Sequence, residues 1–144
     1  MNKLIASISN YSAGLILLSF GFIYLIKNSF MPYHSQAVSM EWNELESGVQ
    51  YLLLAMMRVM AGGYLSIGIL IITGQYLFNR HKHTYLPLLI FSCGMLVCLT
   101  SGYATLLVKF HTPGRPPIIA AIIGLILLIV AFIFNRQAVR QSME

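Results

Sequence analysis

Residues 118–134 read IIAAIIGLILLIVAFIF, seventeen consecutive positions without a charged, amide or hydroxyl side chain. At about 1.5 Å per residue, a helix of this length with its flanks crosses most of a hydrocarbon layer of about 30 Å. Only helices and closed barrels satisfy their backbone groups in lipid, and the run lacks the strict alternation of a barrel strand. Three further apolar runs lie upstream. Residues 4–26 fall between Lys3 and Lys27, residues 49–78 carry one charge, Arg58, and residues 85–108 follow. The expectation is an all-α integral membrane protein forming a four-transmembrane-helix bundle. Its helices fall at about 4–26, 44–78, 85–108 and 118–135, in a single domain spanning 1–144.

Composition agrees with this reading. Across 144 residues, 58% are hydrophobic and 9% charged, and mean hydropathy is +0.76. A soluble domain carries about 25% charged residues, so lipid must solvate much of this exterior. The net charge of +5 is no nucleic-acid signature, because the basic residues flank apolar runs and form no patch. Cys93 and Cys98 share one run. Five residues rotate a helix by about 140°, so the pair faces apart and reads as small packing residues. The first run exceeds the roughly 7–15 residues of a signal-peptide core and reads as a retained helix.

Orientation follows from the basic residues beside the spans. Lys3, Arg80, Lys82, Arg136 and Arg140 share one side, and Lys27, Lys109 and Arg115 the other. The excess predicts both termini in the cytoplasm, with Glu41, Glu44 and Glu46 outside. Tyr11, Tyr76 and Tyr85 then fall near the inner boundary, and Tyr24, Tyr33, Trp42 and Tyr51 near the outer one. Pro32 interrupts continuation of the first helix, and Asn43 with Glu46 resembles a capping box starting the second.

Small residues recur at helical spacing: Gly94, Cys98 and Gly102 on the third helix, Gly62 and Ser66 on the second, Ala120 and Gly124 on the fourth, Gly14 and Gly21 on the first. Such stripes allow close backbone approach, which joins helices where no hydrophobic drive exists between them. They serve packing within the bundle or contacts between copies.

Arg58 stands out among these positions. It lies seven residues past Tyr51, about 10 Å below the outer boundary, and no carboxylate lies in any span. Intramembrane ionisable residues face a bundle interior or a wet cavity. Residues at matching depth are Tyr103, Ser101 and Thr105 on the third helix and Ser19 and Tyr24 on the first. The expected site is an outward polar pocket lined by these side chains, with Arg58 as its positive charge and a lipid or small anionic or amphipathic molecule as its ligand. The bland alternative has Arg58 snorkelling to headgroups or bonding a loop glutamate.

His34 and His111 sit on the two outer loops, and with Glu41 or Glu44 they offer a mixed nitrogen–oxygen metal set. Their spacing is not diagnostic. Metalloprotease, nucleophile-elbow and phosphate-loop motifs are missing, and no acid lies in a span for proton coupling. No catalytic residue and no cofactor are expected.

The segment from Arg58 to Gly68, RVMAGGYLSIG, resembles a feature of small four-helix bacterial membrane proteins of the broad DoxX-like kind, as do length and span count. The resemblance implies a bacterial plasma (inner) membrane location and no particular activity. Three functions are in view: a non-enzymatic binder of lipid or a small molecule, standing alone or as an accessory subunit; a membrane enzyme or metal protein using the outer-loop histidines and glutamates; and a structural partner of other helices, in a homo-oligomer or larger complex.

Overall fold

Backbone groups in an apolar solvent have no water to bond, and the α-helix pairs them all within one segment. The apolar runs accordingly become helices. In the computed structural model, which describes residues 2–141, the order is α1 (Asn2–Ile26), α2 (Pro32–Val38), a 3-10 turn (Trp42–Glu44), α3 (Ser47–His81), α4 (Leu86–His111) and α5 (Ile118–Arg140). Four of these, α1, α3, α4 and α5, are long and apolar enough to cross a membrane. The termini and the α3–α4 connection share one end, here the terminal end. The α1–α3 and α4–α5 connections form the distal end.

Helix ends differ from the apolar runs in three ways. α3, α4 and α5 each continue past the last apolar residue, because Arg80 and His81, Lys109 and His111, and Arg140 occupy their last turns. Cations there favour the helix dipole, so hydropathy stops before the helix does. At the other end of α3, the expected Asn43–Glu46 box does not form. Glu46 is the N-cap, and a box instead closes the preceding 3-10 turn, where the Glu41 N–H donates to Glu44 Oε2 at 2.7 Å. Pro32 does not merely stop a helix: it starts α2 from the first helical position, where its missing N–H costs nothing.

The long helices close into a ring in which α1 packs on α3 and α5, and α4 packs on the same two from the opposite side. The α1–α3 crossing is the closest. A Cβ on Gly14 would lie 2.6 Å from Ile72 Cγ1 and 3.2 Å from the Gly68 carbonyl oxygen, and one on Gly68 would lie 3.0 Å from the Gly14 carbonyl oxygen. Gly21 meets Leu65 in the same seam. Across the ring, Gly94 packs on Leu128 and Ile71, and Gly124 on Cys98 Sγ. Gly62 and Gly102 have nothing within 4 Å of an added Cβ, and Ser66 is exposed. The small-residue stripes thus divide into real crossings and open positions.

The central core joins Ala13, Leu17, Ile71, Ile90, Cys98 and Leu128. Towards the terminal end lies a polar layer. Gln75 is 0% exposed, Asn135 1% and Asn10 2%. The Asn10 and Asn135 amides each donate to Gln75 Oε1 at 2.7 Å, and Gln75 Nε2 donates to Asn79 Oδ1 at 2.9 Å. Asn79 continues to Ser7 Oγ at 2.9 Å. This ladder ties α1, α3 and α5 together by directional bonds, where apolar contact alone leaves rotation weakly specified.

Candidate functional site: a distal cavity with a hydroxyl collar

Above the central core the ring widens. A cavity of about 460 Å³ opens between all four long helices and α2. Its deep wall includes Ala13, Leu17, Cys98 and Gly124, and its distal part includes Tyr24, Tyr33, His34, Tyr64 and Ser101. Ala13 lies eleven residues from Tyr24 along α1, so the cavity reaches about 16 Å down the bundle. Lining residues that are themselves exposed cluster on facing edges of α3 (Met60, Gly63) and α4 (Thr100, Ala104), with Pro117 at the rim. The cavity therefore opens sideways between α3 and α4. Gly63, like Gly62 and Gly102, has open space where a side chain would stand.

The collar is built from two hydroxyl pairs. Tyr24 and Tyr33 share a short O–H···O bond, and Tyr64 and Ser101 share one of 3.0 Å. The Tyr24 and Tyr64 rings meet edge to face, with centroids 6.1 Å apart, a favourable aromatic arrangement. Thr100 and Thr105 also line the cavity, but their hydroxyls donate back to the Leu96 and Ser101 carbonyls at 2.8 and 2.7 Å.

α2 roofs this collar. Gly114, in the α4–α5 connection, is buried beneath it, and an added Cβ there would stand 2.8 Å from the Tyr33 carbonyl oxygen. The Arg115 N–H donates to Gln36 Oε1 at 3.2 Å. The Phe30 ring meets the Trp42 indole edge-on at 5.1 Å and anchors the connection. His34 lies among the rings of Tyr24, Phe30 and Tyr33, and the Met31 N–H donates to its Nδ1 at 3.3 Å. In the neutral imidazole the proton then sits on Nε2. Burial lowers the His34 pKa, which favours that neutral form. Burial and the bond to Tyr24 raise the Tyr33 pKa well above the ordinary phenol value.

The side chains expected to share one pocket divide. Tyr24, Ser101 and Thr105 line the cavity; Arg58, Ser19 and Tyr103 are not among its lining residues. Tyr103 is 66% exposed on the outer face of α4, and exposed Ser19 donates to the Leu15 carbonyl at 2.9 Å. Half-buried Arg58 turns to the end of α1, donating to the carbonyls of Tyr24 and Lys27 and to Asn28 Oδ1. Those carbonyls lie past the last intrahelical bonds and need donors, and a cation is favoured there. The positive charge is thus engaged in capping α1 rather than facing the cavity.

The proposed metal set is dispersed. His111 Nδ1 sits 3.0 Å from the Leu107 carbonyl, and Glu41 and Glu44 close the 3-10 turn. Among the described residues, no group of three or more His, Cys, Asp or Glu side chains is placed to hold a metal ion.

Depth matching to Arg58 does not reach Tyr33, Tyr64 or His34, nor the Asn10–Gln75–Asn135 layer. Tyr64 lies in the glycine-flanked segment but six residues past Arg58, about 9 Å deeper, so matching depth to Arg58 passes over it. The same depth matching, applied at the terminal end, aligns the three carboxamides. Tyr33 and His34 reach the cavity only because α2 folds over the bundle. No family model matches the chain, and neither a curated protein nor a solved structure shows significant similarity to it.

Proposed function

We propose that this is a multi-pass protein of the bacterial inner membrane, non-enzymatic, that binds a lipid-like amphipathic molecule in the distal cavity. The termini face the cytoplasm, as the basic-residue bias predicts, so the cavity belongs to the outer leaflet. The DoxX-like layout fits the same location. One observation carries the reading: an apolar shaft capped by a polar collar, open between α3 and α4. Small-molecule sites have this character, predominantly apolar walls with a few placed polar groups and volumes of about 300–1,000 Å³. A sideways opening gives a membrane-dissolved ligand an entry that avoids water.

The test is to fill the shaft. Gly63 lines the cavity with open space at its Cβ position, so Gly63→Leu should fold normally and obstruct binding. Native mass spectrometry of detergent-released protein should show an adduct of lipid mass on the parent chain and its loss in the variant. A parent chain without any such adduct, and without stabilisation by added amphiphiles, refutes the reading.

A further inference from the structure

The collar's hydrogen-bond arithmetic narrows the ligand. Four hydroxyls, those of Tyr24, Tyr33, Tyr64 and Ser101, form two mutual bonds. Each hydroxyl carries one proton. Each pair therefore uses one proton internally and keeps one O–H free to turn towards a guest. Neutral His34, with Nδ1 accepting from Met31, adds an Nε2–H. Among the described residues, the side chains lining the cavity include no lysine, arginine, aspartate or glutamate. Arg58, the charge expected to serve the site, is bonded to the end of α1.

We infer that the cavity selects a neutral, single-chain membrane lipid whose head presents hydrogen-bond-accepting oxygens, such as a monoacylglycerol-type ester, and discriminates against anionic heads. The inference rests on the cavity being an amphiphile site. Absence of charge is decisive for the head, because an anion taken into a low-dielectric site without a paired cation bears a large desolvation penalty. A neutral ester oxygen bears a small one, which a single donor offsets. Volume bears on the tail: about 460 Å³ falls within the range of small-molecule sites and matches one acyl chain.

Single and double variants differ in the donors they leave. Tyr64→Phe alone leaves the Ser101 O–H free, and Ser101→Ala alone leaves the Tyr64 O–H free, so each single variant keeps one donor. The double variant Tyr64→Phe/Ser101→Ala keeps none. The same holds for Tyr24→Phe and Tyr33→Phe, a second pair if the first perturbs folding.

Delipidated full-length protein in neutral detergent is titrated with monooleoylglycerol and with oleoyl lysophosphatidylglycerol, which share a chain and differ in head charge. Binding is read by thermal shift and native mass spectrometry. Monooleoylglycerol should bind at least ten-fold more tightly. Each single variant should stay within about two-fold of the parent, and each double should weaken monooleoylglycerol about five-fold, the value of one neutral hydrogen bond. Equal or tighter binding of the anionic lipid, or doubles indistinguishable from singles, overturns the selectivity while Gly63→Leu still blocks both lipids. Failure of both lipids to bind the parent chain overturns the cavity reading itself.

Discussion

Gln75→Leu should be the most damaging single substitution in the polar layer. The shape change is small, so cavity formation contributes little, and the cost is set by what is left unpaired. Gln75 Oε1 accepts from both Asn10 Nδ2 and Asn135 Nδ2 at 2.7 Å, and both partners are at most 2% exposed. Removing the acceptor strands two amide groups at about 1–3 kcal/mol each. Measured side-chain bonds within membranes average about 0.6 kcal/mol and reach about 1.7 kcal/mol, which pulls the sum down to about 2–3 kcal/mol. Asn10→Leu should be much milder, because Gln75 Oε1 keeps Asn135, and because Asn10 Oδ1 is itself a buried acceptor without a partner among the described residues. Replacing Asn10, Gln75 and Asn135 together by leucine removes donors and acceptors alike and should cost less than Gln75→Leu alone. The assay is unfolding by sodium dodecyl sulfate in mixed micelles, followed by helical circular dichroism and the fluorescence of the single tryptophan, Trp42. A Gln75→Leu loss below about 0.5 kcal/mol, or a triple variant as costly as the summed singles, would refute the reasoning.

Three other perturbations probe separate parts of the molecule. Gly14→Ala should destabilise by about 1–3 kcal/mol, because its Cβ meets Ile72 and a backbone carbonyl that cannot swing aside, whereas Gly102→Ala should stay within about 0.5 kcal/mol; the same unfolding assay separates them. Arg58→Ala should lose about 2 kcal/mol by uncapping α1 while leaving amphiphile affinity within about two-fold, so a selective loss of binding would place the guanidinium back in the site. The lowered His34 pKa means the folded state holds fewer protons than the unfolded one below the ordinary value of 6.5. Its contribution is therefore full above about pH 6.5 and is lost as pH falls through the lower folded value. Tyr33, raised by burial, stays protonated throughout. Thermal unfolding of the parent chain should weaken across that window more than that of His34→Gln, and parallel profiles would refute it.

Span number and helical character were legible because they depend on local quantities, run length and apolar content, that lipid converts directly into helix. Boundaries were legible less well. Hydropathy ends at Phe78 and Val108, yet the basic last turns carry α3 to His81 and α4 to His111. Depth was legible too, since rise per residue is constant: Tyr24, Ser101 and Thr105, matched by depth, do line one cavity. Rotation was not. Ser19 and Tyr103 sit at suitable depths on the wrong faces, because 100° per residue makes a neighbour one position away point elsewhere.

By itself, then, the order of residues determined four long apolar helices, their approximate limits, and an arginine with no carboxylate in any span to pair with it. Which partners it found was a tertiary matter. The end of α1 had to arrive beside Arg58, and the seam at Gly14 and Gly68 sets that approach. The folding of α2 onto the α4–α5 connection likewise brought Tyr33 and His34 over the bundle. A cavity is the volume that packing leaves unfilled, and no single helix encodes it; only the mutual rotation and spacing of all four create it.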